Sequence, residues 1–190
     1  MVEVGLSDLI ALGGKVKFPR CTIRHIGDRA SATQFLIANE PRAAGVAVIG
    51  ATLQAGDKEL CQVGAYGTAT AGYKGTATAG RWGTATAGYK GTATAGRWGT
   101  ATAGRWGTAT AGDKGTATAG DEGTATAGDE GTATAGYKGT ATAGEKGEIR
   151  IRYWDEKADR YRTVIGYIGE DGLEPNVPYR LNADHKFARS

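Results

Sequence analysis

The phrase GTATAG occurs ten times, its first glycine falling at every eighth position from Gly67 to Gly139. A chain that keeps six letters of every eight fixed has one local structure to repeat, and its fold must be an array. T-A-T-A is a short run of alternating polar and apolar residues, as a half-buried strand requires, and the glycines around each variable pair mark a turn. In the register G-x-x-G-T-A-T-A the frame reaches beyond the perfect copies, to GDKELCQV (56–63) and VIGATLQA (48–55) upstream and GEKGEIRI (144–151) downstream. Residues 48–151 then form thirteen octads of a solenoid, each stacked on its neighbours. A disordered Gly/Ala/Thr linker has the same composition, but its variable letters would have no reason to keep long-range order.

That order sets the size of the coil. With eight residues per coil, Asp113, Asp121 and Asp129 would stack directly at about 4.7 Å, an unfavourable column of like charge. With sixteen, Arg97 meets Asp113, Arg105 meets Asp121 and Glu122 meets Lys138, while Lys114, Glu130 and Lys146 alternate in sign. Only Asp113, Asp129 and Glu145 stay a like-charged column, Trp82 falls over Trp98, and Tyr73 over Tyr89. Sixteen residues per coil is therefore expected.

The degenerate octads show which side faces in. Leu53 and Ala55, Cys61 and Val63, and Ile149 and Ile151 stand at the two Ala positions. Thr52 and Gln54, Leu60 and Gln62, and Glu148 and Arg150 stand at the Thr positions, and only Leu60 breaks the polar rule. Ala is expected inside and Thr outside. The predicted fold is all-β: a thin two-sheeted β-solenoid over 48–151, a small α+β cap in 1–47 and a β-rich hairpin cap in 152–190. CTIRHI reads as a strand, SATQFLIANE as a strand or short helix, and the runs flanking DEKAD as a hairpin covering the open sheet edge.

Little in the chain invites chemistry. His25 and His185 lie in opposite caps without an evident partner, the Walker spacing is absent, and DLIALGGK carries a Gly-Gly-Lys with no helix signal after it. Asp121/Glu122 and Asp129/Glu130 fall on opposite edges of a sixteen-residue coil, which argues against a shared metal ion. Cys21 and Cys61, with no CxxC, read as buried small hydrophobes. No catalytic residue, metal or cofactor is expected, and the chain reads as non-enzymatic. The formal charge of +3 is too small to point to nucleic acid. The start lacks a basic segment followed by an apolar run, and no stretch reaches the ~18 apolar residues of a span. A soluble, cytoplasmic or virion-associated protein with no membrane partner is the expectation.

Two surfaces remain. The first is the outward Thr array: Thr68, Thr70, Thr84, Thr86, Thr100, Thr102, Thr116 and Thr118 on one face, and Thr76, Thr78, Thr92, Thr94, Thr108 and Thr110 on the other. Each Thr offers a methyl and a hydroxyl, on a grid of about 4.7 Å by 6.6–6.8 Å. The second is the turn edge, where Arg81, Trp82, Arg97 and Trp98 stack on one side, and Tyr73, Tyr89, Arg105 and Trp106 lie on the other. Exposed Arg and Trp are favoured anchors of protein interfaces. The acidic pairs of the C-terminal half would repel a nucleic-acid backbone.

The segments AGYKGTATA at 71–79, 87–95 and 135–143 resemble the phrase A-G-Y-G-S-T-x-T-A of bacterial ice nucleation proteins, matching at the Ala, Gly, Tyr, Thr, Thr and Ala positions. The resemblance covers about half the chain and implies ice or ordered-water binding by T-x-T arrays and side-by-side association through a tyrosine ladder. It departs from that family in carrying T-x-T in every octad and turn tyrosines only at Tyr73, Tyr89 and Tyr137. The chain also looks like the GTATAG-repeat proteins of bacteria and phages. Two functions follow: an interaction or structural module of phage or mobile-element type, working through a cap or the Arg/Trp edge, or an ice-binding protein working through Thr.

Overall fold

The computed structural model describes residues 2–3, 10–12, 15–17, 21–27, 29–39 and 48–190. They divide between two compact units, Met1–Ala44 and Gly45–Ser190. In the first, β1 (Val2–Glu3) pairs antiparallel with β4 (Thr22–Ile23), and β2 (Ile10–Leu12) with β3 (Lys15–Lys17). CTIRHI thus supplies a strand of only two residues. Of SATQFLIANE, residues 31–39 are helical, within α1 (Arg29–Asn39), and Glu40 lies outside the described residues. Gly13 and Gly14 of the Gly-Gly-Lys lie outside the described residues, as do 40–47. His25 stacks on Phe35 at 5.2 Å and its Nε2 lies 3.0 Å from the Ser31 hydroxyl. Cys21 is exposed, so the expectation of a buried thiol fails there: it stands just before a two-residue strand whose side chains are themselves exposed.

The second unit is the β-solenoid. Its strands are β5 (Thr52–Ala55), β6 (Leu60–Gln62), β7 (Thr68–Ala71), β8 (Thr76–Ala79), β9 (Thr84–Ala87), β10 (Thr92–Ala95) and β11 (Thr100–Ala103). They continue with β12 (Thr108–Ala111), β13 (Thr116–Ala119), β14 (Thr124–Ala127), β15 (Thr132–Ala135), β16 (Thr140–Ala143) and β17 (Glu148–Asp155). The last are β18 (Arg160–Tyr167), β19 (Tyr179–Leu181) and β20 (Phe187–Arg189). Alternate strands go to alternate sheets. The first sheet runs β5-β7-β9-β11-β13-β15-β17-β18, and the second β6-β8-β10-β12-β14-β16-β19-β20. From Thr68 to Thr126 each outward Thr therefore pairs in parallel with the Thr sixteen residues on, Thr84 with Thr100 and Thr92 with Thr108. The coil is sixteen residues.

Ala lies inside. Ala69, Ala85, Ala101 and Ala117 are wholly buried between the sheets, while the outward Thr residues are exposed or half-buried. Cys61 takes one Ala slot and is buried, and Ile149 and Ile151 fill the last ones. Leu60, at a Thr position, is 65% exposed, as the alternation requires.

The turns explain the fixed glycines and the free pair. In Gly72-Tyr73-Lys74-Gly75 the Gly75 N–H donates to the Gly72 carbonyl at 3.0 Å, closing a β-turn. The second variable residue has φ between 53° (Trp82) and 62° (Lys58) in every such turn, a left-handed conformation usually left to Gly. The glycines instead occupy the flanks, where there is no room. A Cβ on Gly80 would lie 2.6 Å from the Ala65 nitrogen of the coil before, and one on Gly83 would lie 2.7 Å from the Ala79 Cβ. The left-handed residue turns its N–H along the stack, as when Trp82 donates to the Arg97 carbonyl at 3.0 Å.

Antiparallel strands end both sheets. β18 pairs with β17 along its whole length, Glu148↔Tyr167 to Asp155↔Arg160, forming the hairpin expected around DEKAD. β19 pairs with β16 at Ala141↔Tyr179 and with β20. Ile168, Leu173 and Tyr179 are buried beneath this last layer.

Candidate functional site

Sixteen residues per coil deal the variable pairs alternately to two edges. On one edge Tyr66, Trp82 and Trp98 form a continuous face-to-face stack, with centroids 5.0 Å apart at both steps. The guanidinium of Arg81 lies 4.0 Å from the Trp82 ring and 4.5 Å from that of Trp98, and Arg97 lies 4.0 Å from Trp98. Cations on aromatic faces at this range are attracted by the ring quadrupole. Tyr66 and Trp82 stay 53% and 42% exposed, so the stack presents ring edges and arginine to solvent. Tyr66, not singled out in the sequence, stands at the second turn position of a regular octad, GAYGTATA (64–71), whose first turn position is Ala65 in place of the Arg of the Arg/Trp turns. Its place sixteen residues before Trp82 was the available signal.

The other edge begins as a tyrosine stack, Tyr73 on Tyr89 at 5.6 Å, and then changes geometry. Trp106 meets Tyr89 edge-on at 5.2 Å because Tyr takes the first turn position and Trp the second, so the rings are staggered. Lys90 bridges the stagger, 5.4 Å from the Tyr89 ring and 5.0 Å from the Trp106 ring, and Arg105 covers Trp106 at 4.1 Å.

The charged columns follow in both edges. Arg97 approaches Asp113 at 4.0 Å, and Lys114 bridges to Glu130 at 3.2 Å. The pairing of Arg105 with Asp121 needs correction: Arg105 binds Glu122 at 2.7 Å, because lying over Trp106 carries its head to the second column. The Asp121 carboxylate turns the other way, accepting from Arg152 at 2.6 Å and from the Tyr137 N–H at 2.8 Å. Asp57 and Asp129 likewise accept the Tyr73 and Glu145 N–H groups at 2.9 and 2.8 Å. At Asp57, Asp121 and Asp129 the carboxylate in the first turn position thus satisfies the amide sixteen residues on. Hydrogen bonds from Arg105, and next from Trp106, hold the Glu122 carboxyl below its usual range. Burial pushes the Asp121 carboxyl up, but Arg152 and the Tyr137 amide outweigh it and the net direction is down.

The broad faces carry the threonines in straight files. Thr68, Thr84, Thr100 and Thr116 form one file of the first sheet and Thr70, Thr86, Thr102 and Thr118 the next. Thr76, Thr92 and Thr108, beside Thr78, Thr94 and Thr110, do the same on the second. All fourteen thus fall on outward faces, and all eight edge residues on the two edges. Among the described residues no cluster of three or more His, Cys, Asp or Glu side chains could hold a metal ion, and no helix is long and apolar enough to cross a membrane. His185 stacks on Tyr153 at 3.9 Å near the C-terminal end. Comparison with protein-family models, curated proteins and solved structures returns no match to this chain.

Proposed function

We propose that the chain is a non-catalytic interaction module, of the kind found as accessory proteins of phages or mobile elements, whose solenoid holds the Tyr66–Trp82–Trp98 edge out to a protein partner. The observation that carries this is the stack itself: three partly exposed rings at 5.0 Å steps with two guanidinium groups lying on them. Rigid rings and pre-placed arginines lose little freedom on binding and fit the composition of interface anchors. The test is capture of a polypeptide from host lysate by the immobilised chain. A Trp82→Ala/Trp98→Ala variant is expected to lose it, and a variant with Thr84, Thr100 and Thr116 changed to Val to keep it. Retention by the tryptophan variant, or loss by the threonine variant, would contradict the reading.

A second reading rests on the threonine files. Their in-register repeat on both faces supports binding of ice or ordered water, in line with the resemblance of AGYKGTATA to ice nucleation repeats. Ice-crystal habit and thermal hysteresis test it. Faceted crystals and a freezing gap that vanish when threonines on both faces become Lys would support it, and no effect in the native protein would discard it.

A further inference from the structure

We infer that the C-terminal end of the solenoid is a self-association surface, on which β18 pairs antiparallel with β18 of a second copy about a two-fold axis. β18 ends its sheet, and no strand among the described residues pairs with its outer side. An eight-residue strand with a free row of N–H and C=O groups is a ready template for another chain. Sheet ends are commonly blunted by short or charged strands, but here the outward face presents large apolar side chains. Register with β17 places Tyr161, Thr163, Ile165 and Tyr167 on the same face as the Thr files. Tyr161, Ile165 and Tyr167 are 48%, 49% and 52% exposed. Behind them, at the same end, lies a cavity of about 600 Å³ lined by Val164, Gly166, Leu173, Tyr179 and Phe187. The unpaired edge, the exposed apolar face and the cavity meet at one place.

A second copy is the occupant the sequence of β18 favours. A two-fold axis through an extended sheet keeps each face on its own side, so odd residues must oppose odd ones and even oppose even. Centring the axis on Val164 sets Tyr161 against Tyr167 and Thr163 against Ile165, each twice. Arg162 then opposes Gly166 and Arg160 opposes Ile168, so no two arginines face each other. Arg162 is also neutralised within its own hairpin by Asp155 at 2.6 Å. Aromatic and β-branched pairs of this kind are the favourable cross-strand contacts. The same join carries the first sheet from one copy into the next without a break.

Sedimentation of the full chain at micromolar concentrations tests this, beside two variants checked for native circular dichroism. Thr163→Glu with Ile165→Glu sets like charges opposite one another in both symmetric pairs, and Thr163→Lys with Ile165→Glu sets opposite charges there. The expected result is a dimer for the native chain, a monomer for the first variant and a dimer for the second. A native monomer, or a first variant as dimeric as the native chain, would overturn the proposal. A monomeric second variant would overturn the register. Should the variants fail to fold, Val164→Cys in a Cys21→Ser background reads the same axis, since residues facing across it lie within disulfide reach. A covalent dimer formed on mild oxidation is expected, and none would overturn the axis.

Discussion

At the scale of the residue, the turn inverts an ordinary preference. The left-handed position belongs to Lys, Trp, Tyr or Glu, with φ near 55° as at Lys146, and the glycines flank it where a Cβ has no space. Two substitutions separate these needs. Gly83→Ala brings a Cβ to 2.7 Å from Ala79 and 2.9 Å from the Gly80 carbonyl. A clash with backbone should cost about 1–3 kcal/mol. Lys146→Gly has the opposite sign: it relieves the left-handed backbone, worth about 1–2 kcal/mol, against about 0.4–1 kcal/mol of added freedom in the unfolded chain. Denaturant unfolding checks both. A neutral Gly83→Ala, or a clear loss for Lys146→Gly, would contradict this account of the turn.

At the scale of the element, the ladders tie coil to coil, and their geometry was legible only in part. Sorting the variable pairs by sixteen gave the Trp82–Trp98 and Tyr73–Tyr89 stacks and the Arg97–Asp113 approach. It missed that the two turn columns can exchange partners diagonally. Arg105 therefore finds Glu122, and Asp121 is free to cap the Tyr137 amide and take Arg152 from the C-terminal hairpin. Periodicity carries no such information, because the choice depends on which way a side chain leans. Cys21 was misread for a related reason: outside the array nothing in the sequence said which side of a short strand faces in. The carboxylates of Glu122, Asp121 and Asp155 are all held below their ordinary range, by Arg105 first at Glu122, by Arg152 and the Tyr137 amide against burial at Asp121, and by the Ala158 amide first at Asp155. Groups depressed in the fold stabilise it above the unfolded value of about 4, and this contribution is lost as pH falls through their lower folded values. Denaturant midpoints should drop on acidification below that range, and Asp121→Asn should weaken the chain at neutral pH while shrinking the drop. An unchanged midpoint across the acid range would contradict the role given to these pairs.

At the scale of the whole molecule, the eight-letter phrase is half a coil, and everything assigned to the edges and faces depends on that. Ala inside, Thr outside and the sixteen-residue period were all legible because the degenerate octads broke the repeat in informative places. The end strands were legible as a hairpin, but β18's exposed outer face was not, since only pairing partners reveal which strand is last. The most direct test measures rise along the stack. Spin labels at Thr76→Cys and Thr140→Cys, in a Cys21→Ser/Cys61→Ala background diluted with unlabelled protein, sit on one file four pairings apart. Dipolar spectroscopy should give a narrow distance near 19 Å, four steps of about 4.8 Å. A distance near 38 Å, as eight-residue coils would give, or a broad distribution of about 40–48 Å, as a flexible chain would give, would contradict the sixteen-residue coil and the edges built on it.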